Sequence, residues 1–150
     1  MEAYDPLDLK NQLCYPIYLC SKEIIRRYTP WLNELDLTYT QYIVMMYFWK
    51  QKRSNVKDLG KALLLDPSTL TPLLKKLENK GFLKRERSVK DERNLEVSIT
   101  EKGMALREKA LNVPERMGKC IDLSEEEAET LYGLLAKVLT NIEEEMESND

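Results

Sequence analysis

Histidine is absent from this chain, which removes imidazole both from zinc ligation and from acid–base catalysis. Cysteine is scarce: Cys14, Cys20 and Cys120 are too few and too scattered for a disulfide framework or a metal cluster. With 5 glycines in 150 residues, the composition favours helices over sheet. No window is apolar over the ~20 residues a membrane span needs, and the N-terminus lacks a signal-peptide pattern. These absences predict a soluble cytoplasmic protein with no membrane partner, metal or cofactor. No catalytic motif surrounds any of the cysteines, so an enzyme is not expected.

What the chain has in quantity is charge, and its placement matters more than its sum. The net charge is −3 and a third of the residues are charged. Lys75 to Arg93 carries eight Lys/Arg against four Asp/Glu, whereas Asp122 to Asp150 carries ten acidic residues and one lysine. An acidic chain can therefore still present a basic face, and it is the local field that a polyanion meets. Solvated helix faces would show similar runs, so charge alone does not decide. At this length a single domain, residues 1–150, is expected.

The segment 55–100 has the most specific pattern. Asn55 can cap a short helix and Asp66 a second, with Pro67 at the first helical position, where its missing N–H would be unpaired anyway. Leu70, Leu73, Leu74 and Leu77 recur at i, i+3, i+4 and i+7, one buried stripe, and Gly81 suits the left-handed turn that ends a helix. Ser68, Thr69, Thr71, Lys75 and Lys76 are left facing outward. Hydroxyls at the helix start with lysines behind them suit a helix laid in a DNA groove. Pro72 deletes the amide that would bond the carbonyl of Ser68, either as a tolerated kink or as a groove contact. Phe82–Arg87 and Leu95–Ile99 then alternate as two strands around a charged tip, residues 88–94. Helix, turn, helix and hairpin make a winged helix, mainly α with a small β-wing.

Long helices flank this lobe. Asp8 to Tyr28 carries an apolar seam of Leu9, Leu13, Ile17, Cys20, Ile24 and Tyr28, with Cys20 expected in the core. Pro16 inside it predicts a kink or a late start. Thr38 and Gln41 form a capping box before an all-round apolar helix, the expected centre of the core. Thr100 caps a further helix running to about Pro114 or beyond. Ser124 and Glu127 form a second capping box, before a stripe of Ala128, Leu131, Leu135, Val138 and Ile142. The expected dimerisation unit comprises helices at about 8–30 and 101–147, around a DNA-binding lobe at about 55–100.

Asp66-Pro67-Ser68-Thr69-Leu70-Thr71-Pro72-Leu73-Leu74-Lys75-Lys76-Leu77-Glu78, followed by Gly81-Phe82-Leu83 and Asp91-Glu92-Arg93-Asn94, resembles the MarR family of dimeric winged-helix regulators. Asn11-Gln12-Leu13-Cys14 with Tyr18, Tyr28 and Tyr39 resembles its OhrR branch, repressors that respond to organic hydroperoxides. The resemblance implies a homodimer on a palindromic operator in double-stranded DNA, with the helix from Asp66 in the major groove and Arg93 of the wing in the minor groove. It implies that Asp91 orients Arg93. Arg85 and Arg87 either meet phosphate or decorate the strand.

Cys14 lies off the apolar seam with Tyr18 one turn on. Tyrosine hydroxyls can donate hydrogen bonds to a thiolate and raise its reactive fraction. Tyr28 is fourteen residues further, roughly 21 Å along a straight helix, too far to reach Cys14 of its own chain. The family arrangement implies that Tyr28 and Tyr39 come from the other subunit. The implied signal is an organic hydroperoxide that oxidises Cys14 to a sulfenic acid and releases the operator. In some relatives a second cysteine of the other subunit resolves the sulfenate, and Cys120 lies in about the right region for that; in others a small thiol does so. Three further readings stay open: control by a small aromatic ligand in the dimer crevice, a redox-switched global regulator, and a winged helix used only for protein contacts.

Overall fold

The computed structural model describes residues 4–90 and 94–149. Among these, the chain forms two compact units, Met1–Val113 and Pro114–Asp150, described separately below. Asp91 and Arg93 lie outside the described residues.

The first unit opens with a single 3-10 turn, Leu9–Asn11, capped by Asp8. Helix α1 then runs Cys14–Asn33. The seam expected from Asp8 therefore starts late, with Leu9 and Leu13 outside the α-helix, because Pro16 fits only in the first turn, where its N–H is not needed. At the far end α1 continues through Pro30 to Asn33, beyond the expected stop near Tyr28. Packing overrides the proline: Leu32 is fully buried and Tyr28 meets Trp31 edge-on at 6.1 Å. Cys20, expected in the core, is exposed, because the face of α1 that carries it is not covered in this chain.

Helix α2, Tyr39–Gln51, begins in the capping box of Thr38 and Gln41 and is the centre of the core, with Tyr42, Val44, Met45, Phe48 and Trp49 buried. Around it pack α3 (Val56–Leu63), α4 (Pro67–Asn79) and α5 (Glu101–Ala110). Asn55 caps α3 by accepting from Asp58 N–H at 2.7 Å, and Asp66 caps α4 by accepting from Thr69 N–H at 2.9 Å. All four stripe leucines of α4 are buried. A proline inside a helix costs about 3 kcal/mol and a buried leucine contributes about 2, so the stripe outweighs Pro72.

The expected hairpin is there, β2 (Leu83–Arg87) against β3 (Leu95–Ile99), with Arg85 opposite Val97 and Arg87 opposite Leu95. A third strand, β1 (Arg53–Asn55), pairs with the other edge of β3 and makes a three-stranded antiparallel sheet in the order β1-β3-β2. Three polar residues carry no alternation, so nothing in the sequence marked this strand. Gly81 ends α4 at φ +82°, as its position required.

The helix expected from Thr100 to about Pro114 is two helices. Helix α5 stops at Ala110, and α6, Val113–Ile121, restarts with Pro114 in its first turn. In the second unit Ser124 and Glu127 form their capping box and open α7, Glu125–Ser148. No residue of α7 is buried; Leu131, Leu135, Val138 and Ile142 stand at 46, 38, 37 and 51% exposure. No helix among the described residues is long and apolar enough to cross a membrane.

Candidate nucleic-acid interface and thiol site

Helix α4 buries one side and offers the other. Ser68, Thr69, Thr71, Lys75 and Lys76 are all exposed on it. Asp66 fixes its start: the carboxylate takes the Ser68 hydroxyl and the Thr69 N–H, and these hydrogen bonds, Ser68's first, hold it below the ordinary carboxylate range. An acid that stays ionised keeps the cap in place, so the hydroxyls at the helix start have a defined presentation.

Glu78, near the other end of α4, reaches the wing. Its carboxylate accepts from Arg85 N–H at 3.0 Å, from Nε at 3.2 Å and from a terminal guanidinium nitrogen at 3.0 Å. The Arg85 hydrogen bonds, ahead of any charge effect, hold the Glu78 carboxyl low. Arg85, read from sequence as a phosphate contact or strand decoration, thus turns its guanidinium toward Glu78, with 20% of its side chain exposed. It braces β2 against α4. Arg87, two residues on, is exposed. The hairpin closes with Ser88 N–H donating to the Asn94 carbonyl at 2.8 Å, and Val89 and Lys90 project from it.

The thiol candidates form two groups within one chain. Cys14 is the first residue of α1, at the end of the helix dipole where negative charge is favoured. It is exposed, as is Tyr18 one turn on. Tyr28 and Tyr39 pack together with ring centroids 4.9 Å apart and Tyr42 5.8 Å from Tyr28, where α1 turns into α2. Burial, followed by the neighbouring Tyr39, raises Tyr28; burial pushes Tyr42 up to about 12. Both phenols therefore stay protonated donors. Since α1 is continuous from Cys14 to Asn33, the two groups lie roughly 21 Å apart along it. Cys120 lies at the exposed end of α6.

Glu78, Gln41 and Lys80 are polar residues that the sequence reading did not single out as functional. Each joins two elements across the chain, and only the contacts reveal that. The signal available was slight: Gln41 as a capping-box member, Glu78 as an acid on an otherwise basic helix.

A family model described as the transcriptional regulator SarA/Rot matches residues 26–110. The chain is 46% identical over 127 residues to the HTH-type transcriptional regulator SarZ of Staphylococcus aureus (strain USA300), across 85% of this chain and 86% of SarZ. It is 39% identical over 140 residues to the organic hydroperoxide resistance transcriptional regulator of Bacillus subtilis (strain 168), across 93% of each. Its fold is similar to that of reduced AbfR bound to DNA, with a TM-score of 0.77 and 31% identity, over 89% of this chain and 94% of AbfR.

Proposed function

Because the chain belongs to the MarR-like winged-helix transcriptional regulators, matching the SarA/Rot family model and resembling OhrR-type relatives, we propose that it is a dimeric repressor released from its operator by oxidation of Cys14. It is a DNA-binding transcriptional regulator and not an enzyme. The protein acts in the cytoplasm, where its DNA lies.

The reading head is α4 with the β2–β3 wing. In this account Ser68, Thr69 and Thr71 meet base edges and phosphate in the major groove, and Lys75 and Lys76 meet the backbone. Arg87 stays near phosphate, Arg93 enters the minor groove and Asp91 orients it. Arg85 acts through the wing rather than on DNA, since its guanidinium is engaged by Glu78.

The observation that carries the sensing proposal is the separation of Cys14 and Tyr18 from the Tyr28–Tyr39 pair along one unbroken helix. Two groups that one chain holds apart can form one site when a second copy runs antiparallel to the first. Cys14 and Tyr18 would then face Tyr28 of the partner subunit and Tyr39 of the partner subunit. Their hydroxyls would hydrogen-bond the thiolate. The sulfur attacks the O–O bond of an organic hydroperoxide, gaining an oxygen as sulfenic acid while the alkoxide leaves and takes a proton. The sulfenic acid cannot accept those hydrogen bonds as the thiolate does, and the interface shifts. Condensation with the Cys120 thiol of the other subunit would form a disulfide and release water.

A gel shift on DNA upstream of the protein's own gene, with and without cumene hydroperoxide, tests this. Wild type leaves the DNA on oxidation and Cys14→Ser stays bound. Release of Cys14→Ser by peroxide would show that the thiol is not the sensor, and would favour control by a ligand.

A further inference from the structure

Lys80, the C-cap residue of α4, brings an ammonium with three hydrogens to three acceptors of another part of the chain. It donates to the Asp36 carbonyl, lies 3.3 Å from the Asp36 carboxylate and donates to Gln41 Oε1 at 3.2 Å. Gln41 is the one buried polar side chain among the described residues, at 3% exposure. The same Oε1 accepts Thr38 N–H at 3.0 Å in the capping box of α2, so a single buried oxygen joins the start of α2 to the end of α4.

The corner that Lys80 grips is also unusual. Asp36 sits at φ +55°, a left-handed conformation that costs an L-residue energy and persists where its surroundings enforce it. Leu35 and Leu37 on either side are buried, so the corner is held by apolar packing beneath and by the lysine across it. Tyr28 lies on the α1 side of this corner and Tyr39 on the α2 side, with their rings in contact. Two residues before Lys80, Glu78 fixes the wing. Apolar surfaces can slide past one another; a saturated ammonium between three oriented acceptors cannot move without breaking them.

We propose that Lys80 is a positioning residue that couples the Tyr28–Tyr39 corner to the DNA-reading helix, delivering any displacement of the corner to α4 and, through Glu78, to the wing. This role rests on the redox reading given above. It makes Lys80 a determinant of the response to oxidation, not of DNA affinity or of thiol chemistry. Continuity of contacts is the physical basis, and energetic coupling is what the test must show.

The test is fluorescence anisotropy of operator DNA with the full-length protein, reduced and after cumene hydroperoxide, alongside sulfenic-acid labelling. For Lys80→Met the reduced affinity stays within about threefold of wild type, as for a substitution away from the DNA. Labelling of Cys14 is unchanged, while the ratio of oxidised to reduced Kd falls about tenfold. Gln41→Leu behaves alike, the double variant loses no more than either single, and Gln41→Glu, which keeps the acceptor, retains the wild-type ratio. Should Lys80→Met fail to fold, Lys80→Arg keeps the charge but cannot spread a planar fork over three divergent acceptors, and its ratio also falls. A Lys80 variant that melts lower yet keeps the wild-type ratio overturns the coupling role alone. A wild-type ratio of one overturns the redox reading and the coupling role with it.

Discussion

Glu78 lies on a helix whose exposed face is otherwise basic, and it would repel DNA if it faced outward. It is instead turned aside, where its carboxylate receives three hydrogen bonds from Arg85. Because those bonds hold its folded-state titration below the unfolded value, its contribution is complete above the unfolded value and is lost as pH falls through the folded one. Glu78→Gln should therefore lower stability by about 1 kcal/mol at neutral pH. In urea titrations the gap between variant and wild type should close on the acid side; a gap that is constant with pH would refute the assignment. Cys120 carries a second prediction at this scale. Non-reducing electrophoresis after hydroperoxide treatment should show a covalent dimer that Cys14→Ser and Cys120→Ser both abolish. A covalent dimer that survives Cys120→Ser would exclude it as the resolving thiol.

Helix α4 has two faces, one of buried leucines and one of exposed hydroxyls and lysines, and its sequence shows both. The leucine stripe, the Asp66 cap, Pro67 and Gly81 all fall where local rules put them, and so do the two capping boxes. If Lys75 and Lys76 each neutralise a phosphate, replacing both with alanine should weaken binding to all DNA sequences alike. The slope of log K against log salt should shrink by about 0.9 for each lysine. An unchanged slope would remove them from the interface. The helix ends were less legible. Pro16 and Pro30 are both prolines in one helix, yet the first delays its start and the second is overridden by burial of Leu32. Local propensity cannot rank those outcomes, since the deciding term is packing against residues distant in sequence. Strand β1 was invisible for the same reason: Arg53, Ser54 and Asn55 are a strand only because β3 has an open edge beside them. Of the candidate site, the α4 hydroxyls and lysines and the Cys14–Tyr18 pair were readable as residue types at spacings, whereas Tyr28 and Tyr39 entered only through the family resemblance. The ties through Gln41, Glu78 and Lys80 were not: Lys80 meets Asp36 and Gln41 from 44 and 39 residues away, and Glu78 meets Arg85 only because the chain doubles back after Gly81.

At the scale of the whole molecule, the apolar stripe of α7 is the clearest sign that one chain is incomplete. A row of half-exposed Leu131, Leu135, Val138 and Ile142 on a capped helix of 24 residues calls for a cover, and a second copy is the cover proposed here. Leu135→Glu places a charge in that stripe and should shift sedimentation from dimer to monomer, with loss of operator binding; a variant that remains dimeric would move the interface elsewhere. The dimer is also what would bring Cys14 to the tyrosine pair, so assembly, sensing and the spacing of the two reading heads would be set by one interface. The most direct test is anisotropy of the operator with wild type and Cys14→Ser, each before and after one equivalent of cumene hydroperoxide. Both proteins should bind alike when reduced, and peroxide should release only wild type. Equal release of both, or of neither, would contradict the account.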